Sequence, residues 1–195
     1  MKKLALVIVF SLMAGSAFGQ YWSSNNVGVY LDPMAEENCG FGTGEIGCYL
    51  VGTGLETATV GGFELKLLVE GPAFGPLNAA YPVDGINLAS RTDEWIVGYG
   101  TPTPTTGGLV VFMTFDLFVQ DDLTPTELFI EPVYFASLPG TGAYLDGADL
   151  NVILPLYNST GDPVTGDKVP VMTLNGQCTV DTEDASWGEV KSLFR

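Results

Sequence analysis

Twenty-three carboxylates, seven basic side chains, three cysteines and no histidine are what this sequence offers for chemistry. Without an imidazole, neither a serine nor a cysteine nucleophile can be given its usual base, and no Gly-x-Ser-x-Gly elbow occurs. The glycine-rich stretch 40–44 lacks the lysine and the following helix that a phosphate-cradling loop needs. Two carboxylates acting as acid and base remain possible on residue type alone, but their roles depend on a separation in space that sequence does not contain. A carbohydrate-active enzyme built on such an acidic pair is therefore the alternative to the main reading, a non-enzymatic binding or structural module with no catalytic residues.

Oxygen donors cluster in two turn-like stretches, Asp121-Asp122 and Asp146-Gly147-Ala148-Asp149-Leu150-Asn151. Neither has the spacing of an EF-hand loop, and Asp and Asn favour turns through their own backbone hydrogen bonds. No metal site and no cofactor are expected, with a calcium-stabilised surface protein kept as a second alternative. Three scattered cysteines without histidine also make a poor zinc site. In an oxidising compartment Cys39, Cys48 and Cys178 give one disulfide and one thiol left over. Cys39 with Cys178 is preferred, because so long a loop restricts the unfolded chain most. Cys39 with Cys48 is the alternative, since the glycines between them can turn back.

Tyr21, Trp22, Trp95, Tyr99, Tyr134 and Tyr144 could stack on sugar rings or pack inside. Trp95 and Tyr99 fall on one face of one strand and are the candidate ligand-binding pair. At the end of the chain, Trp187, Val190, Leu193 and Phe194 make a candidate partner-docking patch, accompanied by the cations Lys191 and Arg195. The competing reading is that this tail simply covers the body of the protein.

The elements that must position these residues are mostly strands. Gly, Pro, Asn and Asp clusters recur at short intervals, with alternating apolar and polar residues between them. Phe63, Leu65, Leu67 and Val69 alternate with polar neighbours, as a half-buried strand requires. Leu109, Val111, Met113, Phe115, Leu117 and Val119 repeat the pattern, and the partly apolar opposite face (Val110, Phe112, Phe118) predicts a central strand with something covering its outer side. Weaker strand signals at 27–31, 46–51, 94–99, 128–133, 150–156 and 169–174 bring the expected set to about eight, enough for two packed sheets. The proline-rich stretches 71–76 and 101–108 read as loops, and 73–90 has no clean period. The expected fold is an all-β, two-sheet sandwich.

The termini carry different signals. Met1-Lys2-Lys3, an apolar run to Met13 and small residues ending at Gly19 have the layout of a secretory signal peptide, 1–19, too short to span a bilayer. A single sandwich domain would occupy 20–185. A short helix over 186–195 is predicted from the capping pair Ser186 and Glu189 and from helically spaced apolar residues. Net charge is −16 and becomes more negative when Lys2 and Lys3 are removed, which disfavours nucleic acid and anionic membranes as partners. A secreted, periplasmic or cell-surface protein with a protein or glycan partner, and no membrane span after signal removal, is the expectation.

Gly61-Gly62-Phe63-Glu64-Leu65-Lys66-Leu67, a Gly/Pro-rich interval, and Gly108-Leu109-Val110-Val111-Phe112-Met113-Thr114-Phe115-Asp116-Leu117 resemble the paired strand motifs of cohesin-like domains. The resemblance covers roughly 26–135. It implies an exported jelly-roll sandwich in which a sheet face grips a protein partner, a dockerin helix pair. The tail 187–195 resembles the ending of a family of bacterial secreted proteins, which implies no activity.

Overall fold

The computed structural model describes residues 24–82, 84–160 and 168–178. The predicted signal peptide, Tyr21, Trp22 and the predicted tail helix with Trp187, Val190, Leu193 and Phe194 lie outside the described residues. Within them the strands are β1 (Asn26–Tyr30), β2 (Cys39–Gly40), β3 (Gly44–Thr53), β4 (Thr59–Glu70), β5 (Ala73–Ala80), β6 (Gly85–Asn87), β7 (Glu94–Pro104), β8 (Val110–Val119), β9 (Thr126–Glu131), β10 (Gly142–Asp146), β11 (Ile153–Asn158) and β12 (Met172–Leu174). No helix occurs among the described residues, and the fold is an all-β sandwich.

One layer runs β5-β8-β3-β1, antiparallel throughout. The other is built around β4, which pairs with β7 on one edge, and β7 in turn with β6. The other edge of β4 is shared end to end: β9 lies opposite Lys66–Glu70, and β10 lies opposite Val60–Glu64. β12 and then β2 extend the sheet beyond β9. β11 pairs antiparallel with β10 and parallel with β1, joining the layers along one side.

Alternation decides which side chains go between the layers. On β4, Phe63, Leu65 and Leu67 are buried in the core while Glu64 and Lys66 face out. On β8, Phe115, Leu117 and Val119 are buried, and the Phe63 and Phe112 rings meet across the core at 5.1 Å. Burying large apolar side chains contributes roughly 1.5–3 kcal/mol each, so this interdigitated set dominates the favourable side of folding.

The alternation of β8 does not run unbroken. Leu50 pairs with Met113 but Val51 pairs with Val111, so Phe112 is an extra residue in the ladder. A bulge of this kind inverts the facing of everything beyond it. Val110 and Phe112 therefore turn inward, and the partly apolar second face expected of this strand is in large part core. Phe118 stays on the outer face, beside Phe74 of β5, and both are exposed.

Four expectations about elements are corrected. The stretch 73–80, read as loop and irregular chain, is the edge strand β5, whose register jumps between Phe74 and Leu77 so that Pro76 falls where no ladder bond is needed. Thr101–Pro104, read as loop, continues β7 after an irregularity opposite Val60 and Gly62. Gly142–Asp146 gave no strand signal and is nevertheless β10, at the centre of the sheet. The strand expected at 150–156 is shifted to Ile153–Asn158 because Asp149 and Asn151 form a turn.

Cys39 is bonded to Cys178, with Cα atoms 5.6 Å apart, and Cys48 is a buried free thiol. The bridge fastens β2 to the segment following β12. Disulfides form and persist mainly in oxidising compartments.

Candidate functional site

Trp95 and Tyr99 do share a face of β7, as their spacing requires, but it is the inner one. They are 7% and 9% exposed and belong to the core. The proposed sugar-stacking pair is therefore corrected to a packing pair. Bulky residues at 95, 97 and 99 exclude water between the layers far better than the small residues at 98 and 100. Tyr144 is likewise buried, its hydroxyl donating to Asn25 Oδ1 at 2.8 Å.

The opposite face of the same strand is where the surface becomes concave. Gly98 of β7 stands directly opposite Gly62 of β4, so two facing positions carry no side chain. Around this floor rise Leu88, Ile96, Leu145 and Ile153, with Glu64 and Ser137 supplying the polar groups. The groove holds about 210 Å³ and is mainly apolar. Leu88 is 72% exposed, and Ile86 and Ile153 are also exposed at its edge.

The two glycines serve different ends. A Cβ on Gly62 would lie 2.3 Å from the Val97 carbonyl oxygen, so close backbone approach demands glycine there. A Cβ on Gly98 would meet nothing within 4 Å. The space over Gly98 is therefore open because of the residue chosen, not because the backbone forbids a side chain.

The segment 132–141, between β9 and β10, leaves the sheet and returns to the same edge of β4. Two carboxylates hold it. Glu94, itself 6% exposed, accepts the Tyr134 N–H at 2.9 Å, and Glu64 accepts the Ser137 N–H at 2.6 Å and its hydroxyl at 2.9 Å. Charge-assisted bonds of this type are stronger than neutral ones, so the segment is well anchored. It presents Tyr134 and Phe135 edge to face, centroids 4.7 Å apart, both strongly exposed. The Arg91 guanidinium lies 5.6 Å over the Tyr134 ring, and its Nε is 3.6 Å from Glu94.

Farther along this face, Lys66 bridges Asp93 and Glu131 at 3.5 and 3.4 Å. Lys168 contacts Glu70 at 2.7 Å and Glu131 at 3.6 Å, and lies over the Phe129 ring. The hydrogen bond from Lys168 to Glu70 pushes the Lys168 ammonium pKa up. Lys66, Arg91 and Lys168 are thus all paired with carboxylates already.

Asp146 and Asp149 accept backbone N–H groups two residues on, from Ala148 and Asn151, which are turn contacts. Asp121 accepts the N–H groups of Leu123 and Thr124, two and three residues on. Hydrogen bonds from the Asn151 N–H and side-chain amide hold Asp149 below the usual carboxylate range. Among the described residues, no three carboxylate or thiol groups gather as a metal site would require.

Residue-by-residue reading missed Gly62, Gly98, Leu88 and Ile96. A signal for Ile96 and Gly98 existed: large residues at 95, 97 and 99 alternate with Ile96, Gly98 and Gly100, marking one strand face as bulky and the other as bare beyond Ile96.

No protein-family model and no curated protein matches the chain. Among solved structures, the chain is similar to the sixth cohesin of scaffoldin B from Acetivibrio cellulolyticus, determined in complex with a mutant Cel5 dockerin. The TM-score is 0.51 at 9% identity, covering 79% of this chain and 99% of that one. The likeness is one of fold.

Proposed function

We propose that this chain is an exported, non-enzymatic protein-binding module whose docking surface is the groove over Gly62 and Gly98 together with the Tyr134–Phe135 ridge. The observation that carries the reading is the facing glycine pair, which opens an apolar depression on the outer side of a sheet whose inner side is fully packed. Depressions of this kind receive side chains of a partner, and exposed aromatic residues beside them are the usual energetic anchors. A cohesin solved with its dockerin supports the same reading, since a protein of like fold is seen there holding a protein.

The signal-peptide pattern of 1–19 and the Cys39–Cys178 disulfide support export. The excess of carboxylates favours a partner whose docking face is neutral or basic.

Gly98→Leu is the decisive variant, because it fills the groove from a position with free space. Proteins from the native envelope and medium are captured on the immobilised wild-type chain, on Gly98→Leu, on Leu88→Asp, and on Phe74→Asp in the opposite layer. The expectation is a partner that is retained by wild type and Phe74→Asp and lost by both groove variants. Capture indifferent to the groove variants would reject this surface.

A further inference from the structure

We propose that the chain's own C-terminal segment, 186–195, occupies the groove until a partner displaces it. The inference rests on the groove being a docking surface, as argued above, and it names what covers that surface in the free protein.

Chemistry comes first. The groove offers an apolar floor and walls with one carboxylate, Glu64, at its side. Ser137 donates two hydrogen bonds to Glu64, and a carboxylate has about four lone-pair sites, so capacity for a cation remains. The segment 186–195 combines Trp187, Val190, Leu193 and Phe194 with Lys191 and Arg195. Of the basic residues beyond the signal sequence, Lys66, Arg91 and Lys168 are already paired within the body. Lys191 and Arg195 are the other two, and they lie outside the described residues.

Reach is the second requirement. The chain leaves the body at Cys178, tied to Cys39, at the end of the sheet where Leu174 lies opposite Thr126 and Glu70 opposite Glu127. The groove, opposite Gly62 and Glu64, lies roughly 25 Å away, judged from about 3.3 Å per residue along β4 and about 4.8 Å per strand across it. The stretch 179–185 spans up to about 23 Å when extended, and a ten-residue segment beyond it adds about 15 Å even at helical rise. Chain length permits the contact once part of 186–195 itself is used to cover the distance.

Tethering also lowers the affinity required. An attached segment binds without dependence on protein concentration, so a weaker free affinity suffices provided the chain reaches the groove. Exposed Phe41 and Leu123 lie closer to the point of departure, flanking the Asn175 contacts to Gly42 and Asp121. The groove is favoured because it is concave and carries Glu64.

The test compares methyl NMR spectra of the chain 20–195 with that of a chain ending at 185, followed by titration of the latter with a synthetic peptide of sequence 186–195. Truncation is expected to shift the methyl signals of Leu88, Ile96, Leu145 and Ile153, and the free peptide to restore them. Peptides carrying Trp187→Ala or Lys191→Glu should bind about ten-fold more weakly or worse, and Gly98→Leu in the truncated chain should abolish binding. Groove signals unmoved by truncation would overturn the proposal, as would shifts confined to Leu123, or a dimer whose shifts depend on concentration. Loss of the external partner by Gly98→Leu with no effect of truncation would leave the docking surface standing and remove this inference alone.

Discussion

The phenol of Tyr99 donates a 2.8 Å hydrogen bond to the backbone carbonyl of Phe112, joining β7 of one layer to β8 of the other through the middle of the core. Phe112 is the extra residue of the β8 bulge, with no Cα partner on β3. The irregularity that turns the Phe112 ring inward onto Phe63 thus also presents a carbonyl that Tyr99 satisfies.

Replacing Tyr99 with Phe keeps the ring and removes that donor. The Phe112 carbonyl is then buried without this bond, at a cost of about 1–3 kcal/mol, read from urea denaturation midpoints at unchanged slope. Burial pushes the Tyr99 phenol well above its ordinary 10.0. Above pH 10 the unfolded chain ionises while the folded chain keeps its proton, so this contribution is fully present below pH 10 and is lost as pH rises further. Tyr99→Phe should flatten the alkaline decline, and Tyr30, Tyr81 and Tyr144, shifted in the same direction by burial, account for a remaining slope.

Cys48 is 1% exposed, and burial, helped by the Asp116 charge, pushes its thiol from 9.0 up to about 12. A thiol held protonated and out of contact with solvent is inert. At pH 8 it should resist a thiol-labelling reagent in the native protein and react at once in denaturant. Its contribution to stability is present below pH 9 and is lost as pH rises towards 12.

Reduction of Cys39–Cys178 releases a constraint spanning 139 residues. The expected loss is about 2–5 kcal/mol, seen as a lower melting temperature in reductant. Cys39→Ser with Cys178→Ser should reproduce it without reductant, while Cys48→Ala should leave any sensitivity to reductant unchanged.

Gly62 and Gly98 face each other, yet their alanine variants should diverge. Gly62→Ala forces a methyl against the Val97 carbonyl oxygen, and overpacking of that kind typically costs about 1–3 kcal/mol. Gly98→Ala has free space and restricts the unfolded chain, so its stability should be unchanged or higher by up to about 1 kcal/mol. Thermal unfolding of the two proteins side by side reads the difference.

Much of the sandwich was legible in the chain because burial on one side of a strand writes a two-residue period into the sequence. Phe63, Leu65 and Leu67, and Phe115, Leu117 and Val119, point inward as that period requires. The Cys39–Cys178 pairing followed from a preference for the longest loop. Strands that owe their existence to neighbours were not legible: Gly142–Asp146 is short, and β5 contains Gly75 and Pro76, so local pattern and turn chemistry argue against strands that pairing with β4 and β8 nonetheless creates.

By itself, then, the sequence determined the class of fold, the acidic surface, the lack of an imidazole base and the alternation that makes Trp95, Val97 and Tyr99 companions on one side of a strand. Only the tertiary structure decided which side that was. A period of two distinguishes the faces of a strand but does not label them, and the label comes from the second layer, where Tyr99 finds Phe112 and Gly98 is left opposite Gly62 at the surface. The bulge at Phe112 belongs to the same class of decision, since a register change is a relation between two strands.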